Sequence, residues 1–224
     1  MMARSSFALL ACLVVLVSPA TLCADLLTPG GSVTPSAETA MPAGSYFYGP
    51  TTISITGINA LHQTRFTGEL TFAVYRESAS GFLDFLYQYH NDSSSTDPVQ
   101  NITTTDFGIF TTDVTYITGT APAGFSLGGT TPTTATRSPD GGVVAFLLPT
   151  PHSISPGATS RVMVVNTDAI NIDLGTTSVI DGAIDTVITR APALPEPASL
   201  TLLGTALVGF VGFIGRRLLG SARS

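Results

Sequence analysis

From Tyr46 onward, apolar and β-branched residues come in short runs with a period of two, and Gly, Pro, Asn and Asp fall between the runs. A period of two places successive side chains on opposite faces of an extended strand. The runs predict strands at 46–56, 61–76, 81–90, 99–107, 113–120, 142–148, 160–166, 170–174 and 178–190. In the second, Leu70, Phe72 and Val74 fall on one face and Thr71, Ala73 and Tyr75 on the other. In the third, Leu83, Phe85, Tyr87 and Tyr89 oppose Phe82, Asp84, Leu86, Gln88 and His90. Val162 and Val164 likewise oppose Arg161, Met163 and Val165. No helical stripe of useful length occurs before the last thirty or so residues, so nothing is available to cover a parallel sheet. The pattern predicts an all-β fold: an antiparallel, jelly-roll-like β-sandwich whose sheets bury one side each, with a closed barrel as the alternative. A transmembrane barrel does not fit, because the strands lack a sustained lipid-facing alternation and aromatic girdles.

Outside that region the pattern changes. Residues 1–24 read as a secretory signal peptide: Arg4 supplies the charge, Phe7 to Val17 the apolar stretch, and Pro19 breaks it. Small residues at Ser18 and Ala20, or at Ala24, offer cleavage positions. Residues 25–44, with Pro29-Gly30-Gly31, Pro35 and Pro42, read as a flexible lead-in to an exported domain at 45–192. The Thr/Gly/Pro-rich stretch 121–140 reads as a long surface loop open to O-glycosylation. Residues 193–224 form a separate C-terminal segment. Within it, the apolar run Ala198–Ile214 predicts one transmembrane helix over 198–215, followed by Arg216 and Arg217 as a cytoplasmic stop. The seventeen residues of this run make a helix of about 25 Å, at the short end for a span. Pro195 and Pro197 hold the preceding backbone extended and present Glu196 outside the membrane.

Composition sharpens the class of partner. Charged residues make up 11% of the chain, and all nine basic residues are Arg. Without residues 1–24 and the tail after Pro197, five Arg face fifteen acids, a formal balance of −10. Such a surface repels phosphate backbones, so nucleic acid is not an expected partner. The two cysteines, Cys12 and Cys23, both lie in the signal region, which leaves neither a disulfide framework nor a thiolate metal site.

No catalytic constellation assembles along the chain, and neither an enzyme activity nor a cofactor is expected. His62, His90 and His152 sit in separate elements without metal-ligand spacing. Glu69, Glu77 and Asp84 lie on or near adjacent strands and are the candidates for a glycosidase carboxylate pair, which must converge on one cleft. Asp92 and Asp97 flank an oxygen-rich loop that is a weak calcium candidate, without the acid spacing of an EF-hand. Asp168, Asn171, Asp173, Asp181 and Asp185 form a second, weaker acidic cluster. Tyr87, Tyr89 and Tyr116 are the candidates for sugar stacking on a sheet face. Asn91-Asp92-Ser93 and Asn101-Ile102-Thr103 match the N-glycosylation pattern.

Leu194-Pro195-Glu196-Pro197-Ala198-Ser199, the Leu- and Gly-rich apolar span and Gly215-Arg216-Arg217 together resemble the PEP-CTERM sorting signal. The resemblance covers only this tail. It implies recognition of Pro195, Glu196 and Pro197 by an exosortase, a membrane protease-transpeptidase of Gram-negative bacteria that make exopolysaccharide. It also implies export across the inner membrane, a membrane-anchored precursor, and release to the cell surface or a biofilm-type matrix. The expected function is therefore that of a surface or matrix protein, associated with exopolysaccharide and without its own catalysis. The alternatives are a carbohydrate-binding module or a secreted glycoside hydrolase.

Overall fold

The computed structural model describes residues 25–193. The expected signal peptide, and the sorting segment with Pro195, Glu196, Pro197, Arg216 and Arg217, lie outside the described residues. Among the described residues every regular element is a strand. In chain order these are β1 (Asp25–Leu26), β2 (Ser32–Val33), β3 (Ser36–Glu38), β4 (Gly44–Ile58), β5 (Thr64–Glu77), β6 (Leu83–Asn91) and β7 (Asn101–Thr104). There follow β8 (Thr112–Ile117), β9 (Thr134–Arg137), β10 (Val144–Leu147), β11 (Val162–Thr167), β12 (Asn171–Ile180) and β13 (Ile184–Ala193).

Three stretches differ from the sequence reading, each for a local reason. The lead-in 25–44 carries three strands: β1 pairs antiparallel with β8, β2 with β9, and β3 runs parallel to β8. Leu27, fully buried between β1 and β2, anchors it to the core. The loop expected over 121–140 contains β9, which is laddered between β10 and β2. Finally, 170–190 is one long hairpin, with β12 and β13 paired from Asn171↔Ala193 to Ile180↔Ile184. Gly175 reads as a strand break, yet it serves a close approach: a Cβ there would lie 2.5 Å from the Ala191 Cβ. The true turn is at Asp181-Gly182, where Gly182 takes φ +62°.

The ladder pairings join all the strands into one sheet, ordered β1-β8-β11-β6-β5-β4-β13-β12-β7-β10-β9-β2, with β3 beside β8 off that path. The two-sheet sandwich is thus corrected to a single mixed sheet curled into a half-barrel. With no helix among the described residues to lie on it, the sheet buries its apolar face by folding over itself. Register shifts between Tyr46 and Thr51 and again at Gly57/Ile58 bend the long β4–β5 ribbon in the direction the curl needs. The closure is visible in β6, where the Tyr87 hydroxyl accepts from Thr104 Oγ1 on distant β7 (2.9 Å) and donates to the Arg190 carbonyl on β13 (3.3 Å).

The period-two assignment of faces holds, while burial exceeds it. Leu70, Phe72, Val74, Leu83, Phe85, Tyr87, Tyr89, Met163 and Val165 share the main core inside the curl. The opposite face of the same strands was expected to meet solvent. Instead Ala73, Leu86, Val162, Val164 and Ile117 form a second apolar cluster, roofed by Met41, Tyr46, Tyr75 and Phe125. Strand β6 is therefore buried on both sides, and its polar residues on the second face, Asp84 and Gln88, are buried with it.

Candidate functional site

Strand register assembles the most unusual group of side chains on this second face. Tyr75 of β5 lies opposite Asp84 of β6, Asp84 opposite Asn166 of β11, and Asn166 opposite Asp113 of β8. Cross-strand neighbours sit about 5 Å apart, so this row runs across four strands as a continuous polar stripe. Glu77 continues the Tyr75 face at the end of β5, and Glu38, on β3 beside β8, lies near enough for its charge to act on Asp84. Glu38, Glu77, Asp84, Asp113 and Asn166, with Met41, Pro42, Phe82 and Asp168, line an open cleft of about 1110 Å³. Among the described residues, the lining holds five carboxylates (Glu38, Glu77, Asp84, Asp113 and Asp168) and no Arg, Lys or His.

Asp84 is the most constrained of them. It is 1% exposed; its Oδ1 accepts from Asn166 Nδ2 at 3.1 Å, and its Oδ2 has no hydrogen-bond partner. Burial, then the charge of Glu77 and more weakly that of Glu38, push its carboxyl up to about 8, against only the Asn166 hydrogen bond in the other direction. Half-buried Glu38 is also raised, by burial and by Glu77. Glu77 accepts from Ser80 Oγ (2.6 Å), and Asp168 accepts from the Thr111 amide (3.0 Å) and hydroxyl (3.1 Å). With its carboxyl raised to about 8, Asp84 is able to hold a proton near neutral pH.

The structure separates the other sequence candidates. Of Glu69, Glu77 and Asp84, only the last two share the cleft; Glu69 pairs across the ladder with His90 and lines a smaller hollow of about 360 Å³ with Gln88 and Thr159. Of the calcium candidates Asp92 and Asp97, both carboxylate oxygens of Asp97 accept from Arg65, at 2.6 and 2.8 Å. Among the described residues, no group of three His, Cys, Asp or Glu is placed to hold a metal ion. Tyr87 and Tyr89 are core residues with no exposed ring for a sugar. The Asp168–Asp185 cluster disperses: Asp168 joins the cleft, whereas Asp185 accepts from the Thr56 amide at 2.7 Å. Asn91 is fully buried, its amide donating to the Asp97 and Ile154 carbonyls, so its sequon is closed in the folded state. Glu38, Asp113 and Asn166 escaped the sequence reading. Glu38 lies in the stretch read as flexible, and the other two become neighbours of Asp84 only through strand register.

No family model matches the chain, and no curated protein or solved structure matches it.

Proposed function

We propose that this chain is an exported surface or extracellular-matrix protein, delivered by its two terminal segments and acting through its β domain without catalysis. The observation that carries the reading is the tail: Pro195-Glu196-Pro197, the apolar run Ala198–Ile214 and Arg216-Arg217 in that order, with an N-terminal signal at the other end. An exosortase-type membrane protease is the processing partner, and exopolysaccharide the surroundings into which the domain is released. The strand-rich part, from Asp25 to Ala193, lies between the two address segments and supports a self-contained cargo. Deleting Pro195-Glu196-Pro197 tests this in a host carrying the matching protease. The wild type loses the tail mass and leaves the membrane, whereas the deletion variant stays full-length and membrane-bound. Identical mass and location for both proteins sink the sorting claim.

A second reading, glycoside hydrolysis, is favoured by one observation: Glu77 and the raised carboxyl of Asp84 line the same cleft. Incubating the protein with exopolysaccharide and aryl glycosides, and measuring reducing ends, decides it. Hydrolysis lost in both Glu77→Gln and Asp84→Asn supports it, and no wild-type turnover removes it.

A further inference from the structure

We propose that the acidic cleft is a binding site for an organic cation, a primary ammonium head carried on a short apolar stem. The proposal concerns what the domain binds and is independent of how the chain reaches the cell surface.

Three features of the cleft specify that chemistry. The first is charge. Among the described residues, five carboxylates converge on it with no basic residue in the lining, and Glu38, Glu77, Asp84 and Asp168 have no ion-pair partner. Converging like charges favour whatever cation enters between them. The second is hydrogen-bonding sense. Asp84 Oδ2 and Asn166 Oδ1 are both buried and both without a partner, and both can accept. Buried polar atoms are normally satisfied, so an unpaired pair of acceptors side by side on β6 and β11 calls for a donor-rich guest. An ammonium group brings three N–H donors. The third is shape. Met41, Pro42 and Phe82 give the cleft an apolar wall beside the carboxylates, and Phe82 is 40% exposed, free to cover a hydrocarbon stem. A charged head against acids with a stem against an aromatic wall is how the cleft would read one end of such a molecule.

The same residues explain why a metal ion or an anion is not the guest. No three of the carboxylates are placed to ligate one ion, and the unmet atoms are acceptors, which repel an anion. Among the described residues, the ionisable groups facing Asp84 are Tyr75 and Glu77 from β5, Asp113 from β8, Glu38 from β3 and Asp168 after β11, with no cation among them. An entering ammonium supplies the missing counter-charge and draws the proton from the Asp84 carboxyl, since an opposite charge within a few ångströms favours the ionised form. Below about pH 8, therefore, binding releases a proton and strengthens as pH rises.

The test uses the full-length protein in uncharged detergent and three probes: pentylammonium, pentan-1-ol with the same stem and no charge, and tetramethylammonium with charge but no N–H donor. NMR titration at pH 8 is expected to show pentylammonium saturating a single site about tenfold or more tighter than either control. Asp84→Asn keeps the acceptor for Asn166 Nδ2 and weakens pentylammonium by about tenfold. Glu77→Gln, at the half-buried rim, is a second variant whose folding does not depend on the buried carboxyl, and it weakens the same probe. Moving the wild type from pH 6 to pH 8 tightens binding, and that dependence vanishes in Asp84→Asn. Equal affinity for pentylammonium and pentan-1-ol, equal affinity for tetramethylammonium, or undiminished binding in both variants overturns the proposal. So does the absence of binding by any of the three probes.

Discussion

At residue scale, the cost of Asp84 can be measured. Its carboxyl, ordinarily near 3.8, is raised to about 8, so the folded state keeps a proton that the unfolded chain releases. Stability therefore falls as pH climbs from about 4 to about 8, by up to about 1.4 kcal/mol per unit, and is insensitive to this group above that window. Thermal unfolding across pH 4 to 9 should show this slope in the wild type. Asp84→Asn should flatten it and melt higher at pH 8. A wild-type profile parallel to that of Asp84→Asn refutes the assignment. A second residue-scale prediction concerns Gly57, where the far end of the Phe66 ring meets the backbone: a Cβ would sit 2.2 Å from Phe66 Cζ. Gly57→Ala overpacks this contact and costs about 1–3 kcal/mol in urea unfolding, and shortening Phe66 to Leu in the same chain recovers part of the loss.

At element scale, the short strands before β4 decide the character of the second face. Their run of Pro, Gly and small polar residues has no period to read, because each strand is only two or three residues long. What orders them is partner backbone: Leu27 N donates to Thr112 O (2.8 Å), and Thr118 N and Thr120 N donate to Glu38 O and Thr39 O (2.7 Å each). If this stretch merely trails from the domain, Leu27→Ala is silent. As a core residue, Leu27 should cost about 2–5 kcal/mol on truncation, by cavity formation, in chemical denaturation. The strands from β4 on, β9 apart, were legible in the sequence because their alternation spans several residues, and β5, β6 and β11 present the faces it assigned. The hairpin β12–β13 was blurred because a glycine that serves packing, Gly175, resembles one that turns the chain. The cleft was legible in part. Glu77 and Asp84 flank one tight turn and are close in sequence, whereas Asn166 and Asp113 come from strands far along the chain.

At the scale of the whole molecule, the curl depends on a seam between the ends of one sheet. Strands β1 and β2 sit at opposite ends of the ladder and yet follow one another in the chain. Arg137, at the end of β9, closes the seam. It is 5% exposed, and its guanidinium donates to the carbonyls of Leu27 (3.0 Å), Phe107 (2.8 Å), Phe110 (2.9 Å) and Gly141 (2.9 Å). One planar fork thus ties the β1–β2 link, the loop before β8 and the β9–β10 turn together. Burial pushes its proton affinity down while Asp168 opposes that, and the carbonyls supply the remaining compensation. Arg137→Ala strands several buried acceptors and should cost at least about 3 kcal/mol, while Arg137→Lys, with a point charge in place of a fork, recovers only part. Urea midpoints of the two variants check the order; equal stability of wild type and Arg137→Ala rules out the seam.

The sequence by itself determined the strand periodicity, the all-β class and the membership of each strand face, since these follow from alternation within a few residues. Only the tertiary structure decided that the strands form one curled sheet. That depends on which edges pair, and edge pairing is set by register and closure between residues far apart in the chain. The acidic cleft belongs to the same level. Asp84, Asn166 and Asp113 are ordinary polar positions on three separate strands until register sets them in a row, and a roof built from the first residues of the domain buries that row.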